Sequence, residues 1–515
     1  MAAMAALAAG ALAVSCSKEP VVGDNGDGPR TISVSFGEGT KTVLGEKQTD
    51  GIFPARFTAS DVILVSNGSA LEDCKVIIGS DGGASITTTL KGDLKAVYPP
   101  EAAVYLGYNI TGFKVSDSQS GRFEDAHICT ATIPEGNTEA HFKNETAILK
   151  FYVDASIGVT SIKVTSAGAD IATGSKTITV TAPRGKTLAD VTDDTKKRIC
   201  YVSVLPGVNA NQLTYETVTT TQPTLPRTPT DDVELTASVL YKAFIPYYID
   251  MGAAGKWGYC NVGAFLPEDY GRYFIWGETT GIVPNSDNTF TFPDEKYFTA
   301  ENHTWDKTKG FSFANSPWTD GVFVDSSTKN VFTKYTTSNV YAKSGNADMK
   351  TRLDPADDAA CANWGENWCM PTIGAYATAD ITKLVDACCP GGYSSGTISN
   401  PPTTTKVPMS QGIYFYDVAG STGEEGFYFV DEAGNKLFFP DAGFGNGTDH
   451  ILGSGNYWGS TFGTDDGKDF LGCSINFDSS GVKPQNCSKR MYGFTIRPIL
   501  NDAWWYEDLD DGGTI

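Results

Sequence analysis

A hydrophobic period of two runs from residue 31 to about 251, and it constrains the fold more than any other feature. Ile32, Val34 and Phe36 alternate with polar residues. The same alternation returns in four later runs, at 147–155, 161–166, 176–182 and 200–207. Glycine, proline, asparagine and aspartate separate the runs, and no stretch here keeps a helical period over three turns. Many short strands with turn signals predict β-sandwiches.

The N-terminus predicts export and lipid anchoring. Residues 1–16 are small and apolar, and they are too few to span a bilayer. They end in Ala-Val-Ser before Cys16, which resembles the lipobox of bacterial lipoproteins. The resemblance implies a signal peptide and a lipidated Cys16 that anchors the chain in the outer membrane, at the cell surface. The alternative is an uncleaved apolar tail. Residues 17–30 contain much glycine and aspartate and predict a flexible tether.

The charge balance argues against one class of partner. The formal net charge is -22, and the lysines and arginines are scattered singly. A polyanion repels a nucleic acid unless a local basic patch intervenes. We therefore predict no nucleic-acid partner.

Four segments of the N-terminal half resemble fimbrillin-like lipoproteins. They are "GTKTVLGE" (39–46), "FTASDVILVSNG" (57–68), "HFKNETAILKFYV" (141–153) and "YVSVLPG" (201–207). The resemblance implies two tandem β-sandwich modules, at 31–153 and 154–245, and assembly with fimbrial subunits by strand addition. In such a module we expect a core that contains Phe57, Ile63 and Val65. We expect Asp61 and Asn144 to close turns.

The C-terminal half resembles the Fibrobacter-type major paralogous domain over residues 250–500. The matching blocks are "MGAAGKWGYCNVGAFLPEDYGRYFIWGETT" (251–280), "LDPADDAACANWGENWCMPT" (353–372), "GNKLFFPDAGF" (434–444), "GNYWGSTFGTDD" (455–466) and "RMYGFTIRPIL" (490–500). The resemblance implies an α+β, C-type-lectin-like fold that formylglycine-generating enzymes also use. Residues 501–515 form an aromatic and acidic tail.

One helix is predicted from the residues themselves. Thr372 is a good N-cap after a proline, and Pro390 ends the pattern. Four apolar residues share one helical face: Ile381, Leu384, Val385 and Cys388.

The segment 256–280 is the densest in chemistry-bearing residues. Cys260 is its only nucleophile candidate, and Asp269 and Glu278 are acid–base candidates. A cysteine nucleophile needs a base, and no histidine is near in sequence. The aromatic run "YFIW" (273–276), above Trp257, instead indicates a buried strand. We interpret the segment as a folding element and predict no enzymatic activity.

Cys473 and Cys487 are the late cysteines of the domain. The lectin-like resemblance implies a candidate disulfide between them, whereas the enzyme resemblance leaves a copper- and cysteine-dependent oxidase as a third alternative. One of Cys388 and Cys389 is expected to bond Cys361 or Cys369, since adjacent cysteines bond each other only with strain.

Two further features bear on ligands. Tyr457 and Trp458 are candidates for stacking on a sugar ring, with burial in a strand as the alternative. The acidic segments 463–469 and 507–513 lack the EF-hand spacing and are interpreted as solvated loops. No metal or other cofactor is predicted.

These observations predict a mostly β chain, with two sandwiches followed by an α+β lectin-like domain. The leading functional hypothesis is an adhesin, or a fimbrial tip or accessory protein, that binds a glycan or glycoprotein. The alternative is a purely structural fimbrial subunit.

Overall fold

The computed structural model describes residues 28–36, 41–42, 57–153, 155, 157–192, 198–220, 226–229, 232–293, 306–319, 331–374, 378–389, 412–416, 425–465, 468–478 and 481–500. Of these described residues, strands hold 43% and helical segments 11%. The predicted mostly β fold class is therefore confirmed. Among the described residues, no helix has the length and apolar character needed to cross a membrane.

The strands follow in chain order. They are β1 (Arg30–Phe36), β2 (Lys41–Thr42), β3 (Val62–Ser66), β4 (Leu71–Lys75), β5 (Ile77–Ile78), β6 (Ala84–Thr88), β7 (Leu94–Tyr98), β8 (Ala103–Leu106), β9 (Asn109–Phe113), β10 (Ser118–Gln119), β11 (Cys129–Ile133), β12 (Glu139–Asn144), β13 (Ala147–Tyr152), β14 (Val159–Ser166), β15 (Thr177–Thr181), β16 (Ile199–Val204), β17 (Leu213–Thr219), β18 (Val239–Ala243), β19 (Tyr248–Asp250), β20 (Lys256–Gly258), β21 (Trp368–Cys369), β22 (Ile413–Tyr416), β23 (Gly426–Val430), β24 (Lys436–Pro440), β25 (Phe444–Asn446), β26 (Asp449–Ile451), β27 (Gly455–Asp465), β28 (Lys468–Asp478), β29 (Gly481–Lys489) and β30 (Ile499–Leu500). The α-helices of the described residues are α1 (Phe123–Ala126), α2 (Ala359–Trp364) and α3 (Asp380–Cys388).

The N-terminal unit contains the described parts of 1–38, 54–113 and 129–143. Its main sheet has the strand order β4-β3-β7-β11-β12-β1-β6-β5. The Glu72 carboxylate of β4 accepts hydrogen bonds from Thr88 Oγ1 (2.7 Å) and from the Thr89 amide (3.0 Å), next to β6. These bonds join strands that are distant in the sheet order, so the sheet curls around its core.

The core of the N-terminal unit is aliphatic and aromatic, as period-two alternation requires. Phe57, Ile63 and Val65 lie in it, which confirms the prediction. Asp61 accepts a hydrogen bond from the Thr58 amide at 2.6 Å, and Asn144, in β12, accepts one from the Thr146 amide at 3.1 Å. Both side chains therefore close turns, as predicted.

The C-terminal unit contains the described parts of 39–53, 114–128 and 144–515. Its first part, here called the sandwich region (114–128 and 144–245, with β2), has two four-stranded sheets, β10-β15-β14-β17 and β16-β13-β18-β2. Phe151 of β13 and Tyr215 of β17 join the two sheets, with ring centroids 5.2 Å apart.

The unit boundary differs from the predicted module boundary at 153. The strand β13, expected to close the first module, pairs with β16 and with β18 and so belongs to the C-terminal unit. Its burial pattern is that of a central strand, because Ala147, Ile148 and Leu149 are consecutive buried residues. Such a run is typical of a strand that is covered on both faces of its sheet.

The remaining part, here called the terminal region (248–500), is assembled from small sheets: β19-β20-β30-β21, β22-β23-β24, β27-β28-β29 and β25-β26. The helix α3 buries Ile381, Leu384, Val385 and Cys388 against this region, as its apolar face predicts. It begins at Asp380, however, and not after Thr372. Thr372 contacts the helix start from outside, since its Oγ1 accepts a hydrogen bond from the Asp380 amide at 2.9 Å.

The sandwich and terminal regions are locked together within the C-terminal unit. Phe244 packs against Phe265 and Trp364, with centroid distances of 5.7 and 5.1 Å. Arg198 forms an ion pair with Glu268 at 2.5 Å. These contacts make the two regions one packed body and not a pair of tethered domains.

Candidate functional site

The segment 256–280 folds as core. Tyr273, Phe274, Ile275 and Trp276 are at most 1% exposed, and Trp257 is fully buried. The Trp276 indole donates to the Gly459 carbonyl at 2.9 Å. Burial on both sides of the run, with bridges to Ile282 and Phe494, fits the interpretation of this segment as a folding element.

The candidate nucleophile of this segment is inert. The Cys260 thiol is buried and donates to the Ala264 carbonyl at 3.4 Å. Burial raises the pKa of this thiol well above its usual range. A protonated thiol is a poor nucleophile, so Cys260 fills space.

The two carboxylates of the segment close turns. Asp269 accepts hydrogen bonds from the amides of Phe265 (3.2 Å) and Leu266 (3.1 Å). Glu278 accepts from the amides of Thr280 and Gly281, the latter at 3.0 Å. Burial raises the pKa of Glu278 to about 7. Each carboxylate thus has its own backbone partners.

Two buried arginines hold the terminal region together, and sequence reasoning missed them. The Arg490 guanidinium carbon lies 4.8 Å from the ring centroids of Trp276, Phe332 and Phe462. Arg497 Nε donates to Asn261 Oδ1 at 2.8 Å, and its Nη1 donates to the Tyr259 carbonyl at 3.0 Å. The run "RMYGFTIR" (490–497) could have indicated them, since arginines close to aromatic residues in the sequence favour cation–π contacts.

Tyr457 and Trp458 offer no ring face to a sugar. They are 1% and 0% exposed. The Trp458 indole donates to the Phe274 carbonyl at 2.8 Å, and the Tyr457 hydroxyl donates to the Pro440 carbonyl at 2.6 Å. Trp458 stacks on Phe494 with ring centroids 4.1 Å apart. The alternative left open by the sequence, burial in a strand, is the one that these contacts support.

Cys473 and Cys487 lie directly opposite each other on β28 and β29. Their Sγ atoms are 3.8 Å apart, within reach of a thiol hydrogen bond, with Cys473 buried and Cys487 exposed. The disulfide stays a prediction, which the intact mass of the chain before and after alkylation would test. Cys16, Asp466 and the tail 501–515 lie outside the described residues. In the described part of the chain, no group of three or more His, Cys, Asp or Glu side chains is arranged to hold a metal ion.

A polar cleft of about 190 Å³ opens in the terminal region, and the sequence did not indicate it. The turn 252–255, which ends at Gly255 with a φ of 86° and leads into β20, is part of its lining. Arg352, Lys383 and Asp380 form the charged part of the lining, together with the thiol of Cys369 and the aliphatic side chains of Ile499 and Leu500. We call this site the polar cleft.

The polar side of the cleft is held in place by hydrogen bonds. Arg352 Nε donates to Ser460 Oγ at 3.0 Å. The Asp380 carboxylate accepts hydrogen bonds from both the amide and the hydroxyl of Thr372, each at 2.8 Å. Burial raises the pKa of the Cys369 thiol well above its usual range. The cleft can therefore bind polar groups, and its only thiol is protonated at neutral pH.

A second exposed surface lies on the N-terminal unit. The hairpin of β8 and β9 exposes Tyr105 (54%), Leu106 (81%) and Tyr108 (59%). Residues 102–113 contain no charged side chain. The hairpin turn needs Gly107, whose φ is 61°. Exposed apolar groups that cluster in this way indicate an interaction surface.

Among the comparisons with known proteins, only the comparison with solved structures found matches. No protein-family profile and no curated protein matches the chain. A protein of Bacteroides uniformis, provisionally described as a cell adhesion protein, matches 42% of this chain and 92% of its own, at 13% identity and a TM-score of 0.25. A Bacteroides thetaiotaomicron protein with the same description matches 42% and 91%, at 16% identity and a TM-score of 0.23. The tip fimbrial protein Mfa3 of Porphyromonas gingivalis matches 39% and 81%, at 10% identity and a TM-score of 0.18. TM-scores this low carry no weight for the function of this chain.

Proposed function

We propose that this chain is a cell-surface adhesin, or a tip or accessory protein of a fimbria, that binds a ligand through the polar cleft. The cleft is the observation that carries the proposal. It is concave, it combines hydrogen-bonding side chains with an apolar wall, and such sites bind small molecules or the ends of larger ones. The fimbrillin-like sequence segments support the placement of the chain at the cell surface, with a lipid anchor at Cys16.

The chemistry of the terminal region favours binding over catalysis. The buried thiols Cys260 and Cys369 have raised pKa values because of burial. Glu278 and Asp269 each bind backbone amides of their own turns. A nucleophile with a neighbouring base is the usual requirement of covalent catalysis, and these described groups do not meet it.

The proposal is tested by adhesion of the full chain to immobilised mucin and to a glycan array. The full chain is used and not its two halves, because division of the chain near residue 250 would expose Phe244 and break the Arg198–Glu268 ion pair. We expect saturable binding that a cleft variant, Lys383→Gln, weakens. The exposed Lys436→Gln is the matched control, since it removes the same charge outside the cleft. Absence of binding by the wild-type chain to every surface would contradict the adhesin proposal.

A purely structural subunit is the second candidate, and the exposed hairpin favours it. An apolar hairpin on the N-terminal unit suits the neighbouring subunit of a fimbria, which would remove Leu106 from water. The test is co-purification with sheared fimbriae. Leu106→Asp should reduce it if the hairpin mediates assembly. Leu452→Asp, which changes a leucine that is 46% exposed in the C-terminal unit, is the control.

A further inference from the structure

The polar cleft has a charge that is unusual for this chain. The sequence contains 61 Asp and Glu against 39 Lys and Arg. The charged side chains that line the cleft are nevertheless two cations, Arg352 and Lys383, and one carboxylate, Asp380. A concave surface with an excess of positive charge attracts a ligand of opposite sign.

The single carboxylate of the lining is directed to the protein. Asp380 Oδ2 accepts two hydrogen bonds from Thr372, one from its amide and one from its hydroxyl. These bonds hold the negative charge at the start of α3. The half-buried cations Arg352 and Lys383 are the other charged side chains of the lining.

Arg352 is positioned to present its guanidinium. The side chain is fixed at Nε by Ser460 Oγ, and Nη2 lies 3.8 Å from the sulfur of Cys369, which also lines the cleft. A planar guanidinium with an anchored Nε is well suited to a carboxylate, because its donors match the two carboxylate oxygens. A lysine ammonium adds a second donor without a fixed geometry.

The volume of the cleft and its aliphatic lining indicate what the ligand contains besides an anionic group. A volume of about 190 Å³ is smaller than a drug-sized pocket and suits a single ring. Ile499 and Leu500 supply apolar area against which the C–H face of a sugar can pack. A small lining that contains both cations and aliphatic side chains fits a ring that carries one acid group.

We infer that the polar cleft binds a carboxylate-bearing sugar, the acidic terminal residue of a glycan, with Arg352 and Lys383 on the carboxylate. This inference rests on the proposed function, since it names the ligand class of the same site.

The test is a calorimetric titration of the full chain with glucuronate, with glucose, with glucose 6-phosphate and with acetate at constant ionic strength. Glucuronate and glucose differ only at C6, which is a carboxylate in glucuronate and a hydroxymethyl group in glucose. Loss of one charged hydrogen bond is expected to weaken binding about ten-fold. We expect glucuronate to bind the wild-type chain, glucose and acetate to bind at least about ten-fold more weakly, and Lys383→Gln to show a similar loss.

The variants keep the inference open to refutation. Lys383→Arg, which retains the charge, should restore binding, and Lys436→Gln should leave it unchanged. Tighter binding of glucose 6-phosphate than of glucuronate, or of acetate as tight as glucuronate, would overturn the assignment of an acidic sugar. Mucin binding that glucuronate does not inhibit and Lys383→Gln does not weaken would overturn the inference and leave the adhesin proposal standing. Failure of the wild-type chain to bind any sugar or mucin would overturn both.

Discussion

Two pairs of cations in the C-terminal unit have opposite roles. Arg490 and Arg497 are at most 1% exposed and are surrounded by aromatic rings and backbone carbonyls. Arg352 and Lys383 are half-buried and line the polar cleft. The charge is the same in both pairs, so burial and neighbours distinguish the two cations inside the fold from the two that we propose bind a ligand.

Burial of Arg490 and Arg497 costs solvation free energy, which their contacts in the protein must offset. Desolvation lowers the pKa of Arg497. Hydrogen bonds to Asn261 Oδ1 and to the Gly258 and Tyr259 carbonyls offset part of this cost, whereas the buried Nη2 has no hydrogen-bond partner in the described structure. A buried cation stays ionised in this setting because each polar contact replaces lost hydration. A cleft cation keeps part of its hydration and can exchange it for a ligand.

The largest effect on stability is expected for Arg490→Ala. The substitution empties the space between Trp276, Phe332 and Phe462 and removes their cation. We expect a loss of about 3–5 kcal/mol of unfolding free energy, as for a large core side chain. Urea denaturation followed by tryptophan fluorescence measures it. A loss below about 1 kcal/mol would show that Arg490 does not support the fold.

Arg497→Met is the next test, since methionine preserves most of the side-chain volume. It would leave Asn261 Oδ1 without its 2.8 Å donor and remove the donor to the Tyr259 carbonyl. Each orphaned oxygen costs about 1–3 kcal/mol, partly offset by removal of a buried charge. We expect a net loss near the lower end of that range in the same urea experiment. A more stable variant would mean that desolvation of the charge outweighs its hydrogen bonds.

Buried Glu278 gives a test that depends on pH. Burial raises its folded pKa to about 7, from an ordinary value of 4.5. The folded chain therefore binds more protons than the unfolded chain between these values, and the contribution of Glu278 to stability falls as pH rises through about 7. Glu278→Gln should remove roughly 2–3 kcal/mol of this dependence between pH 5 and pH 8. The midpoints of urea unfolding of the wild-type chain and of the variant, measured at these two pH values, test this prediction. Parallel pH profiles would contradict the burial argument.

The smallest effect on stability is expected for Lys383→Gln. Its side chain is half-buried on α3, where glutamine is about as good a helix former as lysine. We expect a change within about 0.5 kcal/mol, similar to that of Lys436→Gln. Thermal unfolding of both variants tests this. A loss as large as that of Arg490→Ala would place Lys383 with the structural cations and break the comparison.

The sequence was most informative where structure is local. Predicted runs at 161–166 and 176–182 correspond to β14 and β15, because alternation depends only on neighbouring residues. The start of α3 differs from the prediction because Thr372 accepts a hydrogen bond from the amide of Asp380, eight residues later in the chain, and is not itself the residue before the helix. The position of β13 follows from pairing with β18, far along the chain, which no local pattern encodes.

The candidate site was outside the reach of sequence reasoning for the same reason. Arg352 and Lys383 are not part of any sequence motif. They line the same cleft only because α3 packs near the turn 252–255. The aromatic-rich segment 256–280, in contrast, looks like a site in sequence and is core in the fold. Aromatic density signals burial more often than binding, because large apolar surfaces gain most from leaving water.

The central claim is that the polar cleft is the ligand site, and a crystal structure of the full chain with glucuronate tests it most directly. We expect the sugar carboxylate within hydrogen-bond distance of both Arg352 and Lys383, with its ring against Ile499. Glucuronate bound instead on the exposed tyrosines of the β8–β9 hairpin, with the cleft filled by water, would contradict the account.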